Sequence, residues 1–205
     1  MPEVGAQSFL PADTNSLRAL RAAASSCRGC QLYREATQTV FGEGPVPAQI
    51  MMLGEQPGDI EDREGHPFVG PAGRLLDKAI IDAGLERAQI YLTNTVKHFK
   101  HTSTSESKRR IHAKPNQSEI TACRPWLEAE LKTARPKLIV ALGSTAAQAL
   151  LGKAFRVTKS HGTLTPWRDI QVLATVHPSS ILRSTERDDA YAAFVADLRV
   201  AATVL

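Results

Sequence analysis

The stretch Ile50-Met51-Met52-Leu53-Gly54-Glu55-Gln56-Pro57-Gly58-Asp59 narrows the possible folds of this chain more than any other. An apolar run without a charge reads as a strand covered on both faces. It stops abruptly, because Gly54 and Gly58 open backbone angles closed to other residues and Pro57 lacks the N–H that a sheet ladder needs. A carboxylate and an amide are thereby set on a tight loop at the carboxyl end of a strand, where open parallel sheets bind ligands. Asp59, Glu61 and Asp62 crowd the same loop, which an ordinary strand-to-helix turn leaves unexplained.

Three further apolar runs follow the same plan. Residues 90–93 close on Asn94, Lys97 and His98; residues 138–142 turn at Gly143-Ser144; residues 172–176 run into His177-Pro178-Ser179-Ser180. Helical periodicity fills the gaps. Asn15 or Ser16 caps a first helix, and Gly70-Pro71 opens an amphipathic one with Leu75, Leu76, Ala79, Ile80 and Ala83 on one face and Gly84 as stop. Asn116 and Glu119 form a capping box for the helix carrying Cys123, and a last helix starts near Thr185. Residues 155–170 read as irregular or short antiparallel structure around Gly162.

Parallel strands need crossovers that cover both faces of a sheet. The expectation is an α/β fold: a single-domain three-layer αβα sandwich with a central four-stranded, mostly parallel sheet, spanning residues 13–205 behind a flexible tail at 1–12. Such a fold gathers Glu55 to Asp59, Asn94, Ser144 and His177 at one sheet edge. No G-x-G-x-x-G or P-loop pattern follows a strand, which weakens dinucleotide and P-loop nucleotide readings.

Apolar runs too short to cross a bilayer and an N-terminus without a secretory pattern point to the cytoplasm and away from membranes. With three cysteines, a disulfide framework is not expected. Cys27-Arg28-Gly29-Cys30 follows a helix rather than a strand, which favours metal binding over a redox couple. The net charge of +4 only tolerates an acidic partner. Its distribution is more telling, because residues 99–117 are polar, long for a compact domain, and contain Lys108-Arg109-Arg110-Ile111-His112.

Taken together, these motifs resemble the uracil-DNA glycosylase superfamily, closest to its iron-sulfur family 4 branch, over nearly the whole chain from Cys27. That branch carries Gly-Glu-Ala-Pro-Gly after its first strand, matched by residues 54–58 with Gln56 in place of alanine. Phe68 matches the aromatic residue of a Pro-Phe-Val-Gly-x-x-Gly loop, Asn94 and Lys97 an Asn-x-x-Lys, and His177 to Ser179 a late His-Pro-Ser. Gln56, a histidine at 98 where a cluster cysteine is expected, and the Lys108 to His112 loop depart from family 4 in the manner of its UdgX-type relatives. Those proteins join covalently to uracil-containing DNA through the loop histidine, here His112.

The resemblance implies DNA as partner, single-stranded in preference, and a repair reaction on uracil carried out by a monomer. A base is reached only when flipped from the stack or in a single strand. Phe68 would stack on the uracil, and Asn94 would read its O4 and N3–H, with Gln56 beside them. His177 would support charge building on O2 as the base departs. Glu55 or Asp59 would orient water onto the oxocarbenium-like sugar, unless His112 captures that carbon first. Lys97, Lys108, Arg109, Arg110, Ser179 and Ser180 would hold DNA. Cys27, Cys30, His98 and Cys123 form a ligand set whose spacing suits structural zinc as well, and the resemblance selects a four-iron four-sulfur cluster.

Overall fold

The computed structural model describes residues 5–104 and 107–204, the side chains of 103–104 and 107–109 excepted. In chain order the elements are α1 (Leu17–Ala24), β1 (Ile50–Gly54), α2 (Asp59–Glu64), α3 (Pro71–Asp82), β2 (Ile90–Asn94), β3 (His101–Thr104), β4 (Ser107–His112), α4 (Gln117–Ala134), β5 (Leu138–Leu142), α5 (Ser144–Leu151), α6 (Val157–Ser160), β6 (Leu164–Trp167), β7 (Ile170–Thr175), α7 (Pro178–Ile181) and α8 (Arg187–Ala202). The three-layer sandwich is present, but its sheet has five strands, in the order β2-β1-β5-β7-β6. The fifth, β6, is antiparallel to β7 and lies at the edge, where Pro166 removes no ladder bond the sheet must have.

Successive residues of each buried strand point to opposite layers. Ile50, Met52, Leu138 and Val140 pack with α3 and α8 through Leu76, Ile80, Phe194 and Leu198. Met51, Leu53, Ile139 and Ala141 pack with α4 and α5 through Leu127, Leu131, Ala146 and Ala147. Both faces are therefore covered, which is why these runs carry no charge. Among the described residues no helix is long and apolar enough to cross a membrane.

Two expectations change. The polar stretch read as a long loop pairs with itself as an antiparallel β3–β4 hairpin, in which His101 faces His112 and Thr102 faces Ile111. It forms a separate two-stranded sheet. The segment read as a loose tail is docked from Gly5 onward: Gly5 donates to the Gly29 carbonyl at 3.0 Å, and Ala6 is buried against the cluster holding the cysteines. Gly29 permits this, since a Cβ there would lie 2.7 Å from the Ala6 nitrogen.

Candidate functional site

The carboxyl ends of β1, β2, β5 and β7 open into a cleft of about 670 Å³, whose lining includes Glu55, Phe68, Asn94, His112, Thr145, His177 and Arg183. One wall is made by the sheet edge itself. Asn94 ends β2 directly beside Gly54, and a Cβ on Gly54 would collide with the Asn94 amide oxygen and the Phe68 ring. Glycine is thus what lets both groups reach the cleft. Phe68 has φ 59°, and its carbonyl packs so closely on Gly73 that no side chain fits there. The Phe68 and His177 rings face each other at 6.3 Å with 28° between their planes.

His177 caps α7, accepting the Ser179 N–H on Nδ1 at 3.2 Å, with the Ser179 hydroxyl 2.8 Å from the same atom. An Nδ1 that accepts a backbone N–H carries no proton, so the neutral ring bears its hydrogen on Nε2. Burial, with the proximity of Arg183 adding to it, lowers the His177 pKa to about 4. A neutral N–H donor at the cleft suits a site where negative charge develops on a leaving base. Ser180 instead turns its hydroxyl to the His177 carbonyl, at 2.7 Å.

The opposite wall is Glu55 and the hairpin. Glu55 Oε2 accepts the Thr145 hydroxyl, and Oε1 lies 3.5 Å from His112 Nε2. That separation exceeds a good hydrogen bond, so the carboxylate and the imidazole stand side by side at the same mouth of the cleft. The His112 ring also leans on Phe99, centroids 6.1 Å apart, and Phe99 is buried.

Several residues expected to touch substrate are instead spent on holding this wall. Arg110 donates through Nε to Asp59 and through a terminal nitrogen to Asp62, each at 2.5 Å, and its guanidinium covers Phe99 at 5.3 Å. Asp62 is fully buried and takes the Thr37 N–H as well, so Arg110 neutralises a carboxylate that burial would otherwise penalise. Arg110 is therefore a strut rather than a phosphate ligand. Asp59 is likewise held, by Arg110 on one oxygen and Arg63 at 3.0 Å on the other, which leaves Glu55 as the carboxylate facing His112. Gln56 lines the cleft, yet its amide brackets the hairpin base: Nε2 donates to the Lys100 and Ala113 carbonyls at 3.2 and 3.0 Å, and Oε1 accepts Lys100 N–H at 3.0 Å. The side chains of Lys108 and Arg109 lie outside the described residues.

Lys97 corrects the expectation most sharply. It is wholly buried, not on a DNA-facing surface, and its ammonium contacts Glu130 at 2.5 Å, Thr93 Oγ1 at 2.7 Å and the Asn94 carbonyl at 2.7 Å. Glu130 in turn accepts from Gly42 N, Tyr91 and Thr93. This network, invisible as a pattern in the sequence, sits directly behind Asn94. Thr145, Phe99 and Arg183 were also missed; only Thr145, two residues past the glycine that ends β5, carried a positional hint.

Cys27, Cys30 and Cys123 are buried in one cluster beneath α1 and α4. Cys27 receives the Trp126 Nε1–H at 3.2 Å and Cys123 the Lys97 N–H at 3.3 Å, and burial raises the Cys123 thiol to about 12. His98 Nε2 lies 2.9 Å from Thr39 Oγ1, whose own hydrogen goes to the Ala24 carbonyl at 2.8 Å. The hydroxyl must therefore accept, which places the ring proton on Nε2 and leaves the Nδ1 lone pair for a metal. Burial lowers the pKa of this imidazole to about 4 and keeps it neutral. Donor chemistry thus fits a thiolate-rich group, while among the described residues no three His, Cys, Asp or Glu side chains are placed to hold a single metal ion.

Residues 41–199 match the family model described as the uracil DNA glycosylase superfamily. The chain is 37% identical to a type-4 uracil-DNA glycosylase of Sulfurisphaera tokodaii over 82% of its own length and 76% of the relative's. It is 35% identical to the type-4 enzyme of Thermotoga maritima, covering 79% and 81% of the two chains. A type-5 uracil-DNA glycosylase of Pyrobaculum aerophilum is 30% identical over 70% and 67%.

Proposed function

The chain belongs to the uracil DNA glycosylase superfamily, and from that premise we propose that it excises uracil from DNA, single-stranded for preference, and remains joined to the sugar through His112. The observation that carries this reading is the placement of His112 beside Glu55 at the mouth of a cleft that also holds Phe68, Asn94 and His177.

Uracil stacks on Phe68 and presents O4 and N3–H to the Asn94 amide. Cytosine would offer a donor and a bare acceptor there and would be refused. As the C1′–N1 bond breaks, its electron pair leaves with the base, and the Nε2–H of His177 meets the charge gathering on O2. The sugar becomes an oxocarbenium-like cation that Glu55 stabilises. An imidazole lone pair of His112 then forms a bond to C1′, and the ring proton passes to Glu55 or to solvent. The product is a neutral N-substituted imidazole, a poor leaving group with no ready path to hydrolysis. Held in place, the histidine outcompetes water through effective concentration.

A four-iron four-sulfur cluster on Cys27, Cys30, His98 and Cys123 belongs to the same proposal, supported by their common burial and N–H-solvated sulfurs. Such a group would tie the N-terminal segment, the exit of β2 and α4 together, close to both ends of the hairpin. A second reading, a turning-over hydrolase, is favoured by one observation: Thr145 fixes the Glu55 carboxylate in the cleft, where it could equally orient water.

An end-labelled single strand with one uracil, run on a denaturing gel before and after alkali, separates them. Covalent capture gives a slow band that survives heat and detergent; in His112→Gly that band vanishes and an alkali-labile strand replaces it. A slow band that persists in His112→Gly would overturn the role of His112. An alkali-labile strand with no slow band from the unaltered protein would make it a hydrolase.

A further inference from the structure

Beyond the uracil cleft, across a wall made by Pro71 and Leu182 that both share, lies a second groove of about 500 Å³ between the first turns of α3 and α8. Arg74, Lys78 and Arg187 line it against one acid, Asp188. Lys78 is fixed: its ammonium is 2.6 Å from Asp82 and stands 4.4 Å over the Tyr191 ring, whose hydroxyl donates to Asp82 at 2.7 Å. Asp82 itself is outside the groove. Lys78 and Tyr191, joined through Asp82, form the floor of the groove, with the exposed Arg74 and Arg187 beside it. Among the described residues Arg74 makes one long contact, 3.4 Å to the Val69 carbonyl. Such a guanidinium gives up little to bind a new acceptor.

We propose that this groove binds the phosphodiester backbone of the DNA strand that flanks the uracil, on one side of it only, with Arg74 and Arg187 as the phosphate contacts. The inference rests on the uracil reading of the cleft and extends it. A groove with surplus positive charge that opens from a base-binding cleft matches a polyanion carrying one charge per nucleotide. Arginine forks suit phosphate oxygens and hold two of them at once. The restriction to one side follows from position: among the described residues the groove meets the cleft across Pro71 and Leu182, whereas the opposite side of the cleft is bounded by Glu55 and the His112 hairpin. A strand of either polarity can place only one of its two arms there.

The test compares three uracil-containing single strands: a trinucleotide, and the same core extended by six thymidines at the 5′ or at the 3′ end. Reaction rate at limiting protein is measured for the unaltered chain and for Arg74→Ala/Arg187→Ala. In parallel, fluorescence anisotropy follows binding of a uracil-free thymidine strand as salt is varied. Extension at one end, not at both, should accelerate the unaltered protein about tenfold, and the double variant should lose that gain. Its salt slope for the thymidine strand should fall by about 1.4 if two phosphate contacts go. Equal gains from both extensions, or a gain and a salt slope that the variant retains, would overturn the proposal. If no uracil strand reacts at all while the variant still loses salt-dependent binding, the excision reading fails and the groove stands.

Discussion

On the sheet-edge wall of the cleft, Asn94, Phe68 and His177 are placed by backbone. Asn94 is the last paired residue of β2, Phe68 is pressed on Gly73, and His177 lies two residues past the end of β7. On the hairpin wall, His112 belongs to a separate two-stranded sheet that, among the described residues, pairs with no strand of the main sheet. It is held by side chains: the Arg110 ion pairs, the Gln56 bracket and the Phe99 ring. Groups fixed by core strands move only when the domain opens, whereas groups fixed by a few polar clasps can be released locally. In the proposed reaction, bond cleavage and sugar capture would rest on supports of unequal stability, and substitutions should separate them.

The largest effect is expected behind the sheet-edge wall. Lys97→Ala leaves Glu130 as an uncompensated buried carboxylate and should cost about 3–5 kcal/mol of unfolding free energy in a denaturant melt. A loss below about 1 kcal/mol would mean that this wall is not anchored in the core as described.

Next in size is His177→Ala, which should slow release of uracil by about 100- to 1000-fold while leaving the fold intact. The same residue fixes a pH expectation. Its native pKa of about 4 lies below the ordinary histidine value, so the unfolded chain takes up the proton first on acidification. This residue's contribution to stability is therefore full above the ordinary value near 6.5 and is lost as pH falls from there toward 4. His177 should also remain a neutral donor until pH nears 4. An acid limb of the cleavage rate near 6.5 that disappears in His177→Ala would contradict the lowered pKa of this ring.

Smaller and more diagnostic is the release of the hairpin. Arg110→Ala removes two charge-assisted hydrogen bonds and leaves the buried Asp62 without its cation, so it should lower covalent adduct formation by about 10- to 100-fold, with uracil release reduced less. Gln56→Ala should act in the same direction by a few-fold, since neutral hydrogen bonds contribute only about 1 kcal/mol each. If adduct and free uracil fall in parallel in both variants, the two walls are not independent and the comparison fails.

The strand ends were legible in the sequence because buried parallel strands have to be apolar and have to stop at residues that break the ladder. Glu55, Asn94, Ser144 and His177 could be assigned to one edge on that basis alone, and all four line the cleft. The Asn116 capping box was legible for a similar reason, being a local reciprocal bond between residues three apart. The edge strand β6 was not, since four residues including a proline carry too little pattern. The hairpin was not, because its polar residues alternate without an apolar face to mark the period.

What the sequence by itself determined, then, is which backbone segments meet and which polar groups their ends present. Whether a given cation or carboxylate faces substrate or faces the protein was decided only by tertiary structure. Lys97 reads as a DNA contact until Glu130, 33 positions away, is found beneath it. Arg110 reads as a phosphate ligand until Asp59 and Asp62, 51 and 48 positions away, take its nitrogens. A charge in a chain has no fixed partner. Its role is set by the nearest opposite charge after folding, and burial makes that choice binding because an unpaired ion there costs several kcal/mol, on the order of a domain's whole stability margin.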